Sequence, residues 1–190
     1  MRRSGLQRMS LTAGQRVTFA ITWITYAGFY FCRKNLSIAL PMLAGAAGLH
    51  SVKLANIVFG YSLLYAIGQF GFGFLADHVG PKRVVGGGLL LIVASNVMLG
   101  LHASVAWLMV FACLNGVGQS TGWSGLVKTM ANWFAPENRG VALGAYVAFF
   151  DLALGLTAPV AGLIAGQWGY AAIYCFGAVS ALISFLLALS

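Results

Sequence analysis

Acidic residues are almost absent: Asp77, Glu137 and Asp151 are the only 3 in 190 positions. Lysine and arginine number 11, so charged side chains make up 7% of the chain, against about 25% in a soluble domain. So few charges cannot cover a water-facing surface. Cysteine is also scarce. Cys32, Cys113 and Cys175 lie inside apolar runs and are odd in number, so apolar packing is expected and a disulfide framework is not. The chain has no HExxH, no metal-ligand spacing, no phosphate-cradling glycine loop and no Ser/His/Asp set. These absences leave no basis for an enzyme, a metal or a cofactor. His50, His78 and His102 fall in or near loops and are read as solvated.

What is present is hydrophobicity, 60% of residues with a mean hydropathy of +0.87. The apolar runs are long enough for helices rather than barrel strands, so an all-α protein embedded in a lipid bilayer is expected. Six spans are predicted, at about 17–44, 54–76, 83–101, 105–134, 140–166 and 170–190, within one bundle over 17–190. Residues 1–16 form a basic tail with Arg2, Arg3, Arg8 and Arg16. This tail has no small-residue cleavage site, and the run after it is too long for a signal peptide. Lys82 and Arg83 follow the second span, and Lys128 and Arg139 flank the loop after the fourth. Only Lys53 marks the other side. Positive-inside asymmetry therefore predicts a multi-pass protein with both termini in the cytoplasm. The net charge of +8 punctuates span ends instead of clustering, which argues against a nucleic-acid partner.

Three stretches carry candidate chemistry. In GFLADHVGPKRV, Gly73 is expected to allow close helix approach and Gly80 a tight turn. Asp77, beside Lys82 and Arg83, is expected to pair with Arg139 as a cytoplasmic latch. In the first span Tyr26, Tyr30, Arg33 and Ser37 share a helical face, with Lys34 at its border. Two phenols, a guanidinium and a hydroxyl make an anion-binding surface, because the planar fork of arginine donates two parallel bonds to an oxyanion. The bland alternative is that Arg33 only pairs with Asp151, the one intramembrane carboxylate, about 16 Å into the fifth span. The second span adds Tyr61, Tyr65 and Gln69. Gly116, Gly118, Gly122 and Gly125 in the fourth are expected to let helices approach closely.

The loop GFLADHVGPKRV resembles the cytoplasmic signature of the major facilitator superfamily. Together with FYFCRKNLSIALP and GWSGLVKTMANWFAPENRG, it resembles the organophosphate:phosphate antiporter family within it, over about residues 20–140. The resemblance implies that Arg33 is the phosphate-binding arginine and that Tyr26, Tyr30 and Tyr65 line the cavity. Gln69 stands where glycerol-phosphate members have lysine, and Phe150-Asp151 where they have His-Asn. AFFDLALGLTAPVAGLIAG looks instead like a degenerate exporter motif. Superfamily members have about 12 spans in two six-helix halves. This chain corresponds to the N-terminal half, as part of a longer protein or as a unit that pairs with a second half or with itself.

Three functions follow. One is exchange of phosphate or a phosphorylated or anionic small molecule across a bacterial-type inner membrane by alternating access. The second is a proton-coupled exporter that uses Asp151 as proton carrier. The third is a sugar-phosphate sensor that binds without transporting.

Overall fold

Thr12 opens the first helix. Its hydroxyl accepts from the Gln15 backbone N–H (3.3 Å), while the Gln15 side chain accepts from the Thr12 N–H (3.1 Å). This reciprocal cap starts α1 at Ala13–Arg33, four residues ahead of the predicted span. The computed structural model describes residues 12–47 and 51–189. Arg2, Arg3, Arg8 and His50 lie outside them. After α1 come α2 (Asn35–Ala47), α3 (Ser51–Val79), α4 (Pro81–Leu101), α5 (Val105–Trp133) and α6 (Pro136–Leu189). Nearly all the described residues are helical.

Two boundaries differ from those expected. The first predicted span is interrupted at Lys34, so it comprises α1 and α2. Lys34 stays near helical geometry (φ −82°, ψ −14°), which makes the break a bend. The fifth and sixth predicted spans form the single element α6, broken at Gly169, whose φ of 78° and ψ of −179° no helix tolerates. Gly80, at φ 91°, makes the turn from α3 into α4, where Pro81 occupies the first helical turn.

Packing joins α3 to α5, α1 to α6, and α4 to both α5 and α6. The glycines of α5 make this closeness possible. A Cβ on Gly116 would lie 2.5 Å from the Tyr61 carbonyl, and one on Gly118 2.8 Å from the Gly88 carbonyl. Gly122 meets the Phe29 ring and Gly125 meets Val85. Gly73 does not play this part: a Cβ there meets nothing within 4 Å among the described residues.

The core has two layers. One holds Phe29, Leu89, Ile92, Met130 and Tyr146; the other holds Leu43, Ile57, Leu99, Leu108 and Ile173. Between them run polar ties. Asn35 Nδ2 donates to Asn96 Oδ1 (3.2 Å) and to the Ile173 carbonyl (3.1 Å), joining α2, α4 and α6. Gln119 donates to the Phe29 carbonyl (3.0 Å), and the Cys32 thiol donates to the Gly177 carbonyl (3.0 Å). Cys32 thus does more than fill apolar space.

Large apolar side chains cover the outside, with Phe70 at 86% and Phe74 at 69% exposure. Among the described residues three helices, Val52–Val79, Pro81–Leu101 and Pro136–Leu189, are long and apolar enough to cross a membrane. α5 spends part of its apolar character on Asn115, Gln119, Ser120 and Thr121, all turned inward.

Replacing Gly116 by alanine should lower stability by about 1–3 kcal/mol, since the new Cβ meets backbone that cannot yield. Gly73→Ala should be neutral or mildly stabilising. Thermal unfolding of the two variants in detergent checks the contrast.

Candidate functional site

Arg33 ends α1 at the bend, so its side chain leaves the helix where the chain changes direction. Its Nη1 donates to the Tyr30 hydroxyl at 3.2 Å. The guanidinium carbon lies 4.4 Å from the Tyr65 ring centroid and 5.1 Å from that of Tyr30. Both distances suit a cation against an aromatic face, an attraction that strengthens when water is excluded. Gln69 Nε2 donates to the Tyr65 hydroxyl (2.6 Å), fixing that ring from one helical turn away. Tyr61 stacks parallel to Tyr65, centroids 6.4 Å apart.

A second ring layer supports the first. Tyr26 packs 5.4 Å from Tyr30, and Phe150 stands edge-on to Tyr30 at 4.1 Å. Tyr146 and Trp123 close around Tyr26 at 5.8 and 6.1 Å. The Tyr146 hydroxyl donates to the Thr22 carbonyl (2.6 Å), locking α6 to α1. α1, α3, α5 and α6 therefore all contribute to one aromatic cage around one arginine.

No carboxylate neutralises it. Among the described residues Arg33 makes no ion pair, so the expected alternative of an Arg33–Asp151 bridge is not formed. Asp151 is exposed on α6, one residue beyond Phe150, and acts on Tyr30 only through its field. Lys34 is half-buried and has no side-chain hydrogen bond or ion pair among the described residues. A guanidinium has five N–H donors. With one well-aligned bond to Tyr30, Arg33 retains a fork for an oxyanion, and Lys34 adds a second positive charge in the next position. Ser37 falls outside this group: it is exposed on α2, beyond the bend.

Of the expected site residues, Tyr26, Tyr30, Arg33, Tyr65 and Gln69 come together. Tyr61 and Phe150 also belong to the cage. Tyr61 was signalled by its spacing of four from Tyr65. Phe150 carried no local signal, because its role depends on how α6 docks on α1. A cavity of about 640 Å³ lies elsewhere, between the start of α1 and the ends of α5 and α6. Tyr26 lines it, Arg33 does not, and Lys82 is the one cation among its described lining residues.

The Gly80 turn is latched differently from expectation. Asp77 pairs with Lys128 of α5, not with Arg139. Arg139 folds back on the last turn of α5, donating to the carbonyls of Ala131 (2.6 Å) and Phe134 (3.0 Å). Those carbonyls have no partner inside their own helix, and a cation there also meets the negative end of the dipole. Lys82 reaches the Leu189 carbonyl (2.7 Å), while Arg83 is exposed.

The family model described as Major Facilitator Superfamily matches residues 22–190. The chain belongs to that superfamily. Within it, the chain is 30% identical over 173 residues to a glycerol-3-phosphate transporter of Bacillus subtilis, covering 88% of this chain and 39% of that protein. It is 31% identical over 134 residues to the hexose-6-phosphate:phosphate antiporter of Escherichia coli K12, covering 67% and 28%. The chain therefore spans about two fifths or less of the curated relatives it matches. The crystal structure of a peptide transporter (POT, E310Q mutant) in complex with alafosfalin superposes with a TM-score of 0.74 at 20% identity, over 91% of this chain and 36% of that one. This places the six-helix half within the superfamily fold, in an integral membrane protein.

Stability measured across the double variant Asp77→Asn/Lys128→Met should show a coupling of about 0.5 kcal/mol, small because both groups are half-exposed. Asp77→Asn/Arg139→Met should be additive within about 0.3 kcal/mol.

Proposed function

We propose that this chain is the N-terminal six-helix half of an exchanger of phosphate, or of a phosphorylated or anionic small organic molecule, in a bacterial-type inner membrane with both termini cytoplasmic. The observation that carries this reading is Arg33, held between Tyr30 and Tyr65 with most of its donors unused and no carboxylate beside it. The printed functions of two relatives, glycerol-3-phosphate transport and hexose-6-phosphate:phosphate antiport, support the substrate class.

The chemistry follows from the cage. Oxyanions of the substrate accept two parallel N–H bonds from Arg33, and Lys34 adds a second positive charge to the field. Tyr30 and Tyr65 keep the guanidinium plane fixed, so little side-chain entropy is lost on binding. Tyr26 and Phe150 hold Tyr30 in turn. A second half, supplied by a longer chain or a second copy, closes the other wall of the site, and the two halves rock around it. Exchange follows from the charge: an empty site leaves Arg33 uncompensated, which slows return of the empty carrier. At one end the Asp77–Lys128 pair ties α3 to α5, the Gly80 turn joins α3 to α4, Lys82 ties α4 to the end of α6, and Arg139 caps α5 from α6, so these helices move as one body.

Binding of inorganic phosphate to the purified chain in nanodiscs, by calorimetry, tests the reading. Arg33→Ala should abolish binding, and Arg33→Lys should weaken it at least about tenfold, because the bidentate fork is lost while the charge remains. Asp151→Asn should leave it intact. Parent-like binding by Arg33→Lys would overturn the proposal, and loss of binding with Asp151→Asn would favour a carboxylate-centred exporter instead.

A further inference from the structure

The cavity of about 640 Å³ at one end of the bundle holds none of the cage's charge. Four helix ends frame its mouth: Ala13 of α1, Pro81 and Lys82 of α4, Trp133 of α5 and Ala188 of α6. From there it follows one face of α1 as far as Phe29, about 24 Å at helical rise. That depth exceeds one bilayer leaflet, about half of a 30 Å hydrocarbon core. The volume falls in the range of ligand sites, roughly 300–1,000 Å³. Val17, Ile21, Leu126 and Leu187 make its walls apolar. The hydroxyls of Thr22 and Thr129 donate to the carbonyls of Thr18 (2.7 Å) and Gly125 (2.9 Å), and that of Tyr146 to the Thr22 carbonyl (2.6 Å). These groups need nothing from an occupant.

The mouth has another character. Lys82 is exposed there, and of the three donors on its ammonium one reaches the Leu189 carbonyl. Asn132 adds an exposed amide from the last turn of α5. Pro81 begins α4, so the positive end of that helix dipole lies at the same place. Among the described lining residues there is no carboxylate. Trp133 stands at the rim, half-exposed, as suits an indole at a membrane–water boundary. An apolar shaft with a cationic rim is complementary to an acyl tail with an acidic head, since positive pockets between membrane helices recruit acidic lipid head groups. We propose that this cavity binds one anionic amphiphile, with its acyl chain along α1 and its head group on Lys82. An anionic phospholipid and a free fatty acid share this chemistry. Arg33 does not line the cavity, so the site stands apart from the exchange reading.

Thermal unfolding of the purified chain in detergent supplies the test, with added phosphatidylglycerol, phosphatidylcholine of the same acyl chains, or oleate. Phosphatidylglycerol should raise the melting temperature by about 5–10 °C at about 100 times its Kd, and phosphatidylcholine by much less. An equal rise with oleate supports the site with a fatty acid as sufficient ligand, and a rise with phosphatidylglycerol alone supports it with the phospholipid. Lys82→Gln should weaken the apparent affinity for phosphatidylglycerol about fivefold, the worth of one lysine beside an acidic head group. Val17→Trp fills the shaft from a position already 57% exposed, so it should remove the shift while leaving the lipid-free melting temperature near the parent's. Arg33→Ala should respond to phosphatidylglycerol as the parent does. No shift with any lipid, equal shifts with phosphatidylcholine, a parent-like response in Lys82→Gln or Val17→Trp, or loss of the response in Arg33→Ala overturns the proposal.

Discussion

Close approach of α5 to its neighbours is the constraint on which the other features depend. Lipid offers no hydrophobic drive for one apolar helix to seek another, so packing must come from backbone proximity and from polar ties. Gly116, Gly118, Gly122 and Gly125 bring α5 against α3, α4 and α1 at distances that no side chain would permit. Only at those distances can Gln119 reach the Phe29 carbonyl, and only then does the cage residue Trp123 come beside Tyr26. The hydroxyls of this helix turn back on their own carbonyls, as Thr121 does to Gly118 (2.8 Å), which satisfies those donors within the helix itself.

A half-buried cation with no ion-pair partner among the described residues is the second organising fact. Arg33 gains partial compensation from the faces of Tyr30 and Tyr65 and from one hydroxyl, none of which cancels its charge. Such a site is costly when empty and less so with an anion in it. The cost falls on a rigid surround: the Gln69 bond, the Tyr26–Phe150 contact (5.7 Å) and the Tyr146–Thr22 bond each immobilise one ring. The guanidinium fork is thereby held in one orientation by a surround of immobilised rings.

Much of this was legible from residue order. The helical class followed from the shortage of charge, and the face shared by Tyr26, Tyr30 and Arg33 followed from spacing. The glycines of α5 announced their packing role by density alone. Gly73 looked similar and was not, because a small residue marks an opportunity for contact and only the docking geometry shows whether a neighbour takes it. Arg139 was the partner expected for Asp77, and Lys128 took its place. The choice went to Lys128 because α3 lies along α5, while Arg139 was drawn to the open carbonyls that end the same helix.

Local sequence by itself determined the helices, their starts at Thr12, Ser104 and Pro81, the turn at Gly80 and the break at Gly169, since capping, proline and positive φ act over a few residues. It also determined that an arginine would sit within apolar surroundings. Tertiary structure alone decided what that arginine touches. Tyr65, against which it packs, is 32 residues away, and Phe150, which packs on Tyr30 and not on the arginine, is 117 away; neither distance along the chain carries information about contact. The same holds for Asp151, whose absence from the cage depends on the rotation of α6 about its own axis. Side-chain identity fixes which interactions are affordable in a membrane, but helix rotation and depth, set jointly by every packed pair, select among them.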